Sequence, residues 1–279
     1  MSEVLLDHEP MIRLVISAAV FALLVSAEAL FPRRPQTIGR LVRWPGNLGV
    51  VALNTVLMRV LLPTAAVGMA VAAEARGWGL FNTIALPVWL ALPLAVVALD
   101  LAIYLQHVVF HAVPTLWRLH RMHHADLEFD VTTGLRFHPV EIALSMGIKF
   151  LVIAALGPSA LAVLVFEVLL NATSMFNHAN LRLPAGVDRI LRRIVVTPDM
   201  HRVHHSVHPE ETNSNFGFNL PWWDRLLGTY RAQPRDGHEG MTIGIEQFRT
   251  RHDLRLDRML IQPALGPASG YPINRESGG

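Results

Sequence analysis

Four long apolar stretches constrain this chain more than any other feature of its sequence. They cover about residues 12–31, 47–73, 84–113 and 140–177, and the last is interrupted at GPSA, residues 157–160. A helix needs about 20 apolar residues to cross a bilayer, so the first three stretches predict spans and the divided one predicts a helical hairpin. Because only helices and closed barrels satisfy their backbone in lipid, we expect an all-α integral membrane protein with four to five transmembrane helices.

The composition excludes several other classes of protein. Hydrophobic residues make up 52% of the 279 residues and charged residues 16%, which is not typical of a soluble domain. The formal net charge of +2 is too small to indicate nucleic-acid binding. The chain has no cysteine, so any bound metal must have nitrogen or oxygen ligands.

The arginines predict how the spans are oriented. Arg33, Arg34, Arg40 and Arg43 lie between the first two stretches, whereas the next loop holds Arg76 alone. Positive loops face the cytoplasm, so the first loop is predicted to be cytoplasmic. Counting crossings then places the end of the third span, both feet of the hairpin and the residues from 178 onward on that same face. The sequence therefore predicts a cytoplasmic, histidine-rich helical cap.

The first histidine motif ends the third span, in DLAIYLQHVVFH. On a helix the spacing places Asp100, Tyr104, His107 and His111 on one stripe, and two imidazoles one turn apart can share a metal. A carboxylate in an apolar helix is costly unless it has a partner, so Asp100 is predicted to orient His107 without binding metal itself.

A second pattern, H-x-x-H-H, occurs twice. WRLHRMHH holds His120, His123 and His124, and HRVHH holds His201, His204 and His205. Adjacent histidines on a helix diverge by about 100°, so each motif can serve two metals or approach one metal from two sides. A surface cluster would not be expected to repeat this spacing, and the pattern favours metal binding.

Two further histidines lie at the feet of the hairpin. His138 in RFHPVE opens it and His178 in MFNHANL closes it, so we expect both to contribute a nitrogen to the same site. By contrast, four other histidines lack partners at useful spacing and are expected to be solvated, namely His8, His208, His238 and His252.

The order of these motifs resembles one known family. From about residue 95 to residue 232 the chain carries H-x-x-x-H, H-x-x-H-H, FHPVE, NHANL, TPDMHRVHH, NSNFG and WWDRLLGTY. This series is similar to that of the fatty acid hydroxylase and sterol desaturase superfamily. The resemblance implies a membrane-bound non-haem di-iron oxygenase that uses O2 to attack a C–H bond of a lipid.

The resemblance also implies which residues form the site. The eight histidines of the H-x-x-x-H and H-x-x-H-H motifs match the family's metal ligands, and His138 and His178 match its additional ones. Asp224 in WDRLLGTY is a further candidate for positioning the site. The metals implied are two iron ions, with zinc as a substitute in purified material, because imidazole suits both. Independently, eight to ten histidines exceed the four ligands of one tetrahedral zinc and favour two metals.

Partners and organisation complete the prediction. No G-x-G-x-x-G motif occurs, so we expect a separate electron-donor protein, a lipid substrate within the bilayer and no nucleic acid. The predicted regions are N-terminal transmembrane helices (1–94), a catalytic domain (95–232) and a cytoplasmic C-terminal tail (233–279), disordered after about residue 262. The alternatives are a membrane zinc hydrolase, with Glu128 or Glu141 as general base, and a metal-binding or transport protein. The substrate could be an acyl chain, a sterol, a carotenoid or an alkyl ether lipid, and the reaction hydroxylation or desaturation.

Overall fold

The computed structural model describes residues 8–62, 65–268 and 270–273. Across these residues every regular element is helical, and extended pairing is limited to two isolated antiparallel bridges, Pro32 with Leu181 and Ser206 with Ile243. In chain order the α-helices are α1 (Glu9–Leu30), α2 (Arg40–Leu61), α3 (Ala65–Ala75), α4 (Leu80–Thr83), α5 (Val88–Ala112), α6 (Pro114–His124), α7 (Pro139–Leu156), α8 (Ala160–Asn177), α9 (Ala185–Leu191), α10 (Pro198–His204), α11 (Pro209–Thr212), α12 (Trp222–Leu226), α13 (Gly237–Gly240) and α14 (Leu256–Ile261). Short 3₁₀ helices cover Thr133–Leu135, Arg251–Leu254 and Gln262–Ala264.

Several of these helices are suited to a membrane. Five segments are long and apolar enough to cross one: the helices Glu9–Leu30, Val88–Ala112, Pro139–Leu156 and Ala160–Asn177, and the region Arg40–Thr83, which holds α2, α3 and α4 and includes residues 63 and 64 outside the described part of the chain. Large apolar side chains such as Leu23, Trp89 and Leu151 point outward and are exposed. The all-helical prediction is confirmed, and the helices fit a multi-pass membrane protein. The number of spans stays a prediction.

The hairpin forms where the sequence predicts it. Its two arms, α7 and α8, have 18 residues each. Gly157 ends the first arm with φ of +64°, and a Cβ at this position would lie 2.3 Å from the Trp78 carbonyl oxygen, so only glycine fits. The Ser159 hydroxyl then caps the second arm by accepting the Ala162 N–H at 3.3 Å. The chain therefore turns back on itself within three residues.

The second apolar stretch differs from the expectation of one helix over about 47–73. Its helix α2 begins earlier, at Arg40, and ends at Leu61, and a separate helix α3 begins at Ala65. Residues 63 and 64, between the two helices, lie outside the described residues.

The second hairpin arm, α8, is the central helix of the apolar part. It packs against α1, α3 and α5, and its core contacts include Leu99, Val163 and Phe166, all buried. Because α5 carries His107 and His111 and α8 ends beside His178, this packing fixes the distance between these two groups of histidines.

The arginine-rich segment between α1 and α2 lies against the histidine-bearing part of the molecule. The Arg33 guanidinium donates to the carboxylate of Asp199 in α10 at 3.2 Å, and Arg40 pairs with Glu28 at 3.0 Å. The loop and the histidine motifs therefore share one side of the protein. That this side is cytoplasmic stays a prediction.

Arg43 is not in the loop but in the first turn of α2, where it is fully buried. It pairs with Asp126 at 2.7 Å and with Asp130 at 2.6 Å, and both carboxylates are also buried. Burial alone would raise the pKa of Asp126, but the Arg43 guanidinium outweighs it and holds that pKa well below its ordinary value. These ion pairs connect the loop that follows α6 to the N-terminal turn of α2.

The C-terminal segment contradicts the expectation of disorder after about residue 262. Tyr271 is buried and stacks on Trp117 with ring centroids 5.5 Å apart. The buried guanidinium of Arg121 donates to the carbonyls of Gln262, at 2.6 Å, and Leu265. The ring of Tyr271 and the backbone carbonyls of residues 262 and 265 hold this segment in place, although its low hydrophobicity predicts disorder. Residues 269 and 274–279 lie outside the described residues.

Candidate metal centre

Nine buried histidines form two adjacent groups in the cap. The first, which we call the five-histidine cluster, consists of His107, His111, His120, His124 and His204. The second, the four-histidine cluster, consists of His123, His178, His201 and His205. Within each cluster one ligand atom from every residue lies within 4.8 Å of the others.

Each H-x-x-H-H motif contributes to both clusters. In α6 the outer pair, His120 and His124, joins the five-histidine cluster, whereas the middle His123 turns to the four-histidine cluster. The second motif does the converse, since its outer pair joins the four-histidine cluster and the middle His204 the five-histidine cluster. Residues four apart share a helix face, so the first and last histidines of each motif point to the same cluster. The middle histidine lies about 100° around the helix from the last one and points to the other cluster, so two short helices suffice to build both groups.

The remaining ligands come from the ends of the apolar helices. His107 and His111 occupy the last turns of α5, and His178 is the C-terminal cap of α8. The chain passes from α5 to α6 through Val113 alone, and Pro114 starts the next helix. This sharp connection folds α6 back so that His120 meets His107.

Distances in the five-histidine cluster fit a shared metal ion. The His107 Nε2 atom lies 3.1 Å from the Nε2 atoms of both His120 and His204. Two imidazole nitrogens bound about 2.0–2.1 Å from one ion would be about 2.9–3.4 Å apart. His111 Nε2 and both ring nitrogens of His124 are buried and have no hydrogen-bond partner among the described residues. Such orphaned atoms are rare in proteins, and a metal ion would satisfy them.

The four-histidine cluster has the same spacing. The His178 Nε2 atom lies 3.2 Å from His123 Nε2 and 3.1 Å from His201 Nε2. Both ring nitrogens of His205 are buried without a hydrogen-bond partner in the described part of the chain. The nitrogens of both clusters therefore fit a metal-ligating role.

Partners on the far side of the rings fix the tautomers. In the five-histidine cluster four Nδ1 atoms each lie beside one oxygen: that of His107 beside Phe216 O at 2.7 Å, His111 beside Asn213 Oδ1 at 3.1 Å, His120 beside Glu141 Oε1 at 2.6 Å and His204 beside Ser214 O at 2.7 Å. In the four-histidine cluster the Nδ1 atom of His123 lies 3.2 Å from Arg136 O, and that of His178 lies 2.7 Å from Ser174 O. An Nδ1–H that donates to oxygen leaves the Nε2 lone pair for a metal.

Burial also sets the protonation state of the imidazoles. Desolvation lowers the pKa of His178 to about 3. It also lowers the pKa of His201, His204 and His205 well below the ordinary value, and neighbouring imidazoles act in the same direction. Neutral imidazole is the form that binds metal, so these rings are in the ligand form near pH 7.

Asp224 organises the loop next to the five-histidine cluster. Its carboxylate accepts the backbone N–H groups of Phe216 at 2.8 Å and Gly217 at 2.9 Å, and the Thr229 hydroxyl at 2.7 Å. The Phe216 carbonyl in turn accepts the Nδ1–H of His107. One peptide unit therefore separates Asp224 from a candidate ligand.

Asp100 does not orient His107 in the way expected from the helical stripe. Its carboxylate accepts the Trp223 indole N–H at 2.8 Å and the backbone N–H groups of Asn219 and Leu220 at 3.3 Å. Seven residues of helix, about 10 Å, separate Asp100 from His107, which is too far for direct contact. Asp100 instead anchors the far end of the loop that Asp224 holds.

His138 is placed outside both clusters, in contrast to its predicted role as a ligand. It caps α7, with its Nδ1 accepting the Val140 N–H at 3.2 Å, while its Nε2 lies 3.1 Å from the Leu260 carbonyl oxygen. Both ring nitrogens are therefore engaged with the backbone. Helix capping, rather than metal binding, explains its position at the foot of the hairpin.

The four histidines expected in solvent have different environments. His8 and His252 are exposed, and His208 is partly buried beside Asp236, 2.8 Å away. The expectation is wrong for His238, which is only 5% exposed and lies 3.6 Å from the carboxylate of Asp199.

Sequence reasoning named Asp100 and Asp224 as positioning residues but missed two side chains that contact candidate ligands directly. Glu141 was considered only as a hydrolytic base, yet it contacts His120, and Asn213 was not singled out, yet it contacts His111. Both residues lie in motifs of the series, FHPVE and NSNFG. A carboxylate in the first turn of an otherwise apolar helix was the available signal for Glu141.

Known proteins are similar in sequence to the part of the chain that holds these motifs. The fatty acid hydroxylase family model matches residues 92–229. The ornithine lipid hydroxylase OlsE of Rhizobium tropici is 31% identical over 142 residues, which are 51% of this chain and 42% of that protein. The alkylglycerol monooxygenase of Xenopus tropicalis is 28% identical over 208 residues, 72% of this chain and 45% of that protein.

A third relative, human cholesterol 25-hydroxylase, is 27% identical over 135 residues, which are 48% of each chain. The chain thus spans less than half the length of these relatives. No solved structure matches it significantly. The matched residues contain both histidine clusters, and residues 92–229 of the chain are a fatty acid hydroxylase domain.

Proposed function

We propose that this protein is a membrane-bound non-haem di-iron oxygenase that hydroxylates a C–H bond of a lipid, using O2 and electrons from a separate donor. The observation that carries the proposal is the pair of adjacent, buried, all-histidine clusters, with nine imidazoles between them. Nine nitrogens exceed the four ligands of one tetrahedral zinc and fit two ions. Imidazole also binds zinc, which we expect as a substitute in purified material.

Two iron ions, when bound, would supply the oxidising chemistry with dioxygen. The five-histidine cluster would hold one ion and the four-histidine cluster the other. The protein's own contribution is a dry, neutral setting, because all nine imidazoles are buried. For six of the nine, an oxygen beside Nδ1 fixes the direction of the Nε2 lone pair before metal arrives.

The substrate is proposed to enter from the bilayer between α5 and the hairpin. A narrow cavity lies there, lined by Ile103, Gln106, Ile148 and Phe166 among others, and Gln106 directly precedes His107. Its volume is about 10 Å³, enough for one water molecule, so apolar side chains must move aside to admit a lipid chain. Each methylene buried there contributes about 0.8 kcal/mol relative to water, which favours an apolar substrate.

The relatives support a lipid substrate, since they are named for ornithine lipid, alkylglycerol and cholesterol. These names also favour hydroxylation over desaturation, and they span three kinds of lipid. We therefore propose hydroxylation, with desaturation as a second outcome of the same oxidant.

The hydrolase alternative loses support in the structure. Glu128, one proposed general base, accepts the backbone N–H groups of Thr37 at 2.6 Å and Ile38 at 3.1 Å. Glu141, the other, contacts the Nδ1 atom of His120. The Glu128 carboxylate is thus hydrogen-bonded to the backbone, and the Glu141 carboxylate is hydrogen-bonded to a candidate metal ligand. Transport also loses support, because the nine histidines gather in the cap rather than along the spans.

The test is oxygen incorporation. Protein purified anaerobically and loaded with iron should contain close to two metals per chain and, with reductant, oxygen-18 gas and membrane lipid extract, should produce a labelled hydroxyl lipid. One metal or none would refute the two-ion site. Loaded protein that consumes no oxygen with any lipid pool, but hydrolyses an ester or amide, would replace the oxygenase with a hydrolase.

A further inference from the structure

A second cavity lies on the surface of the cap, apart from the metal centre. Its volume is about 530 Å³, within the range of small-molecule pockets. Its charged and titratable lining consists of Arg33, Arg182, Arg189, Arg192 and His238, together with the carboxylates of Asp188, Asp199 and Glu239. We call it the arginine pocket. None of the nine clustered histidines lines it.

The arginine pocket is located where two apolar helices end. α1 ends at Leu30, and Pro32, two residues later, pairs with Leu181, four residues beyond the end of α8. Arg33 and Arg182 follow directly after this bridge. The pocket therefore lies at the level where spanning helices leave the hydrocarbon, which is the level of lipid headgroups.

Helix α9 and the residues directly after it form one wall of the pocket and carry both basic and exposed apolar side chains. Arg189 and Arg192 line the cavity, whereas Val187, Ile190 and Ile194 are 44%, 62% and 61% exposed. Contiguous exposed apolar side chains are unusual on a surface that faces water. Next to headgroups they would contact the upper part of acyl chains, as in interfacial amphipathic helices.

Some of the basic groups have no protein partner. Arg33 pairs with Asp199 and Glu239, and Arg192 pairs with Asp188. Arg189, however, has no ion-pair or hydrogen-bond partner among the described residues.

His238 is 5% exposed and makes no hydrogen bond from either ring nitrogen within the described chain. The Nε atom of Arg192 is also buried without a partner there. Buried donors without partners are costly, and a ligand that accepts hydrogen bonds would relieve that cost.

We propose that the arginine pocket binds the phosphate group of an anionic bilayer lipid, whose acyl chains lie along Val187, Ile190 and Ile194. Guanidinium groups match phosphate oxygens in charge and geometry. Glu239 is shared by Arg33 and Arg182 and its side chain is 62% exposed, so it can turn into solvent when phosphate takes its place. This site goes beyond the proposed oxygenase activity and would attach the cap to the membrane surface.

The experiment measures binding of a soluble short-chain phosphatidylglycerol to the full-length protein in neutral detergent by calorimetry. We expect saturable binding to the wild type and an affinity at least about 10-fold lower for R182Q/R189Q, because two charge-assisted contacts are removed. R255Q, an exposed arginine outside the pocket, is the matched control and should bind like the wild type. Short-chain phosphatidylcholine should bind more weakly, because its choline group brings a positive charge.

A second variant separates the lipid from a free phosphate compound. I190N/I194N should weaken phosphatidylglycerol binding about 10-fold and leave glycerol phosphate binding unchanged, because only the lipid has chains to bury. The proposal is overturned if glycerol phosphate binds wild type as tightly as the lipid does, if no saturable binding occurs, or if R182Q/R189Q binds the lipid normally. Equal metal content in wild type and variants confirms that the cap is folded in each case.

Discussion

The two histidine clusters have similar distances between Nε2 atoms but differ in the groups that contact the Nδ1 atoms of their imidazoles. In the five-histidine cluster two imidazoles rest on side chains, with His120 on Glu141 and His111 on Asn213. In the four-histidine cluster His123 and His178 rest on backbone carbonyls. A carboxylate behind an imidazole makes it a stronger donor to the metal. The comparison indicates that two bound ions would be inequivalent, because only the five-histidine cluster has side-chain partners behind some of its imidazoles, beside the backbone carbonyls behind His107 and His204.

The clusters also differ in redundancy. The five-histidine cluster has one nitrogen more than a tetrahedral site needs, whereas the four-histidine cluster has none to spare. Loss of one ligand should therefore have unequal consequences in the two places.

The largest effect is expected from H201A in the four-histidine cluster. Three imidazoles would remain, so we expect metal content to fall from two per chain to one and turnover to drop by more than about 100-fold, beyond the usual loss for an outer partner. Elemental analysis and oxygen uptake measure both quantities. H252A, which alters an exposed histidine outside both clusters, is the control.

H111A is the matched change in the five-histidine cluster, and it should retain more metal than H201A. If the two variants lose metal equally, the difference in redundancy does not exist. Added imidazole should restore metal to H201A if the deficit is a missing ligand, and should have no effect if the protein has misfolded.

The next effect tests the carboxylate behind His120. E141Q keeps an oxygen for the Nδ1–H but removes the charge, so affinity for one of the two metals should fall roughly 10- to 100-fold. Competition with a chelator measures this. S174A is the counterpart in the other cluster, where the partner is a main-chain carbonyl that survives the substitution, and metal affinity should not change. A comparable loss in S174A would contradict the side-chain versus backbone distinction.

A smaller effect is expected from the loop carboxylates. D224N should reduce turnover up to about 10-fold, because Asp224 holds the peptide of Phe216, which receives the Nδ1–H of His107. D100N should reduce turnover less, because Asp100 holds only Asn219, Leu220 and Trp223. Steady-state oxygen uptake at full iron loading gives the order, and the reverse order would show that Asp100 acts on the site directly.

The smallest effect on metal is expected from H138Q. His138 caps α7 and lies in neither cluster, so metal content should remain at the wild-type value. Loss of the cap should lower the free energy of unfolding by about 1 kcal/mol. Thermal unfolding in detergent, followed together with metal content, checks both. Loss of one metal from H138Q would instead make His138 a ligand.

Much of the candidate site could be predicted because its geometry is local. Helical spacing alone placed His107 with His111, and it separated His123 from His124 by enough to serve two ions. Each motif is divided between the two clusters because of how α6 and α10 face each other. The spacing of residues within one helix cannot predict how two helices are oriented. Likewise, the hairpin was visible in GPSA at 157–160. Pro63 was also available as a signal that the helix ending at Leu61 stops within the second apolar stretch, but the apolar pattern alone was followed there.

The errors share a physical cause. Asp100, His138 and Tyr271 were interpreted from the character of their own segment, as a stripe on a helix, a histidine among histidines and a polar tail. Their positions are instead decided by groups distant in sequence, namely the backbone amides of 219 and 220, the carbonyl of Leu260 and the side-chain ring of Trp117. Contacts of this kind arise only once the chain has folded.

The buried C-terminal segment has a consequence for the order in which the site is completed. Asn213, which contacts His111, donates its side-chain N–H to the Tyr271 carbonyl at 2.6 Å, and the Ile273 N–H donates to the backbone carbonyl of His111 at 3.0 Å. Translation delivers residues 271–273 after all nine histidines have left the ribosome. The brace at residues 271–273 therefore cannot form until every histidine of the five-histidine cluster has been synthesised.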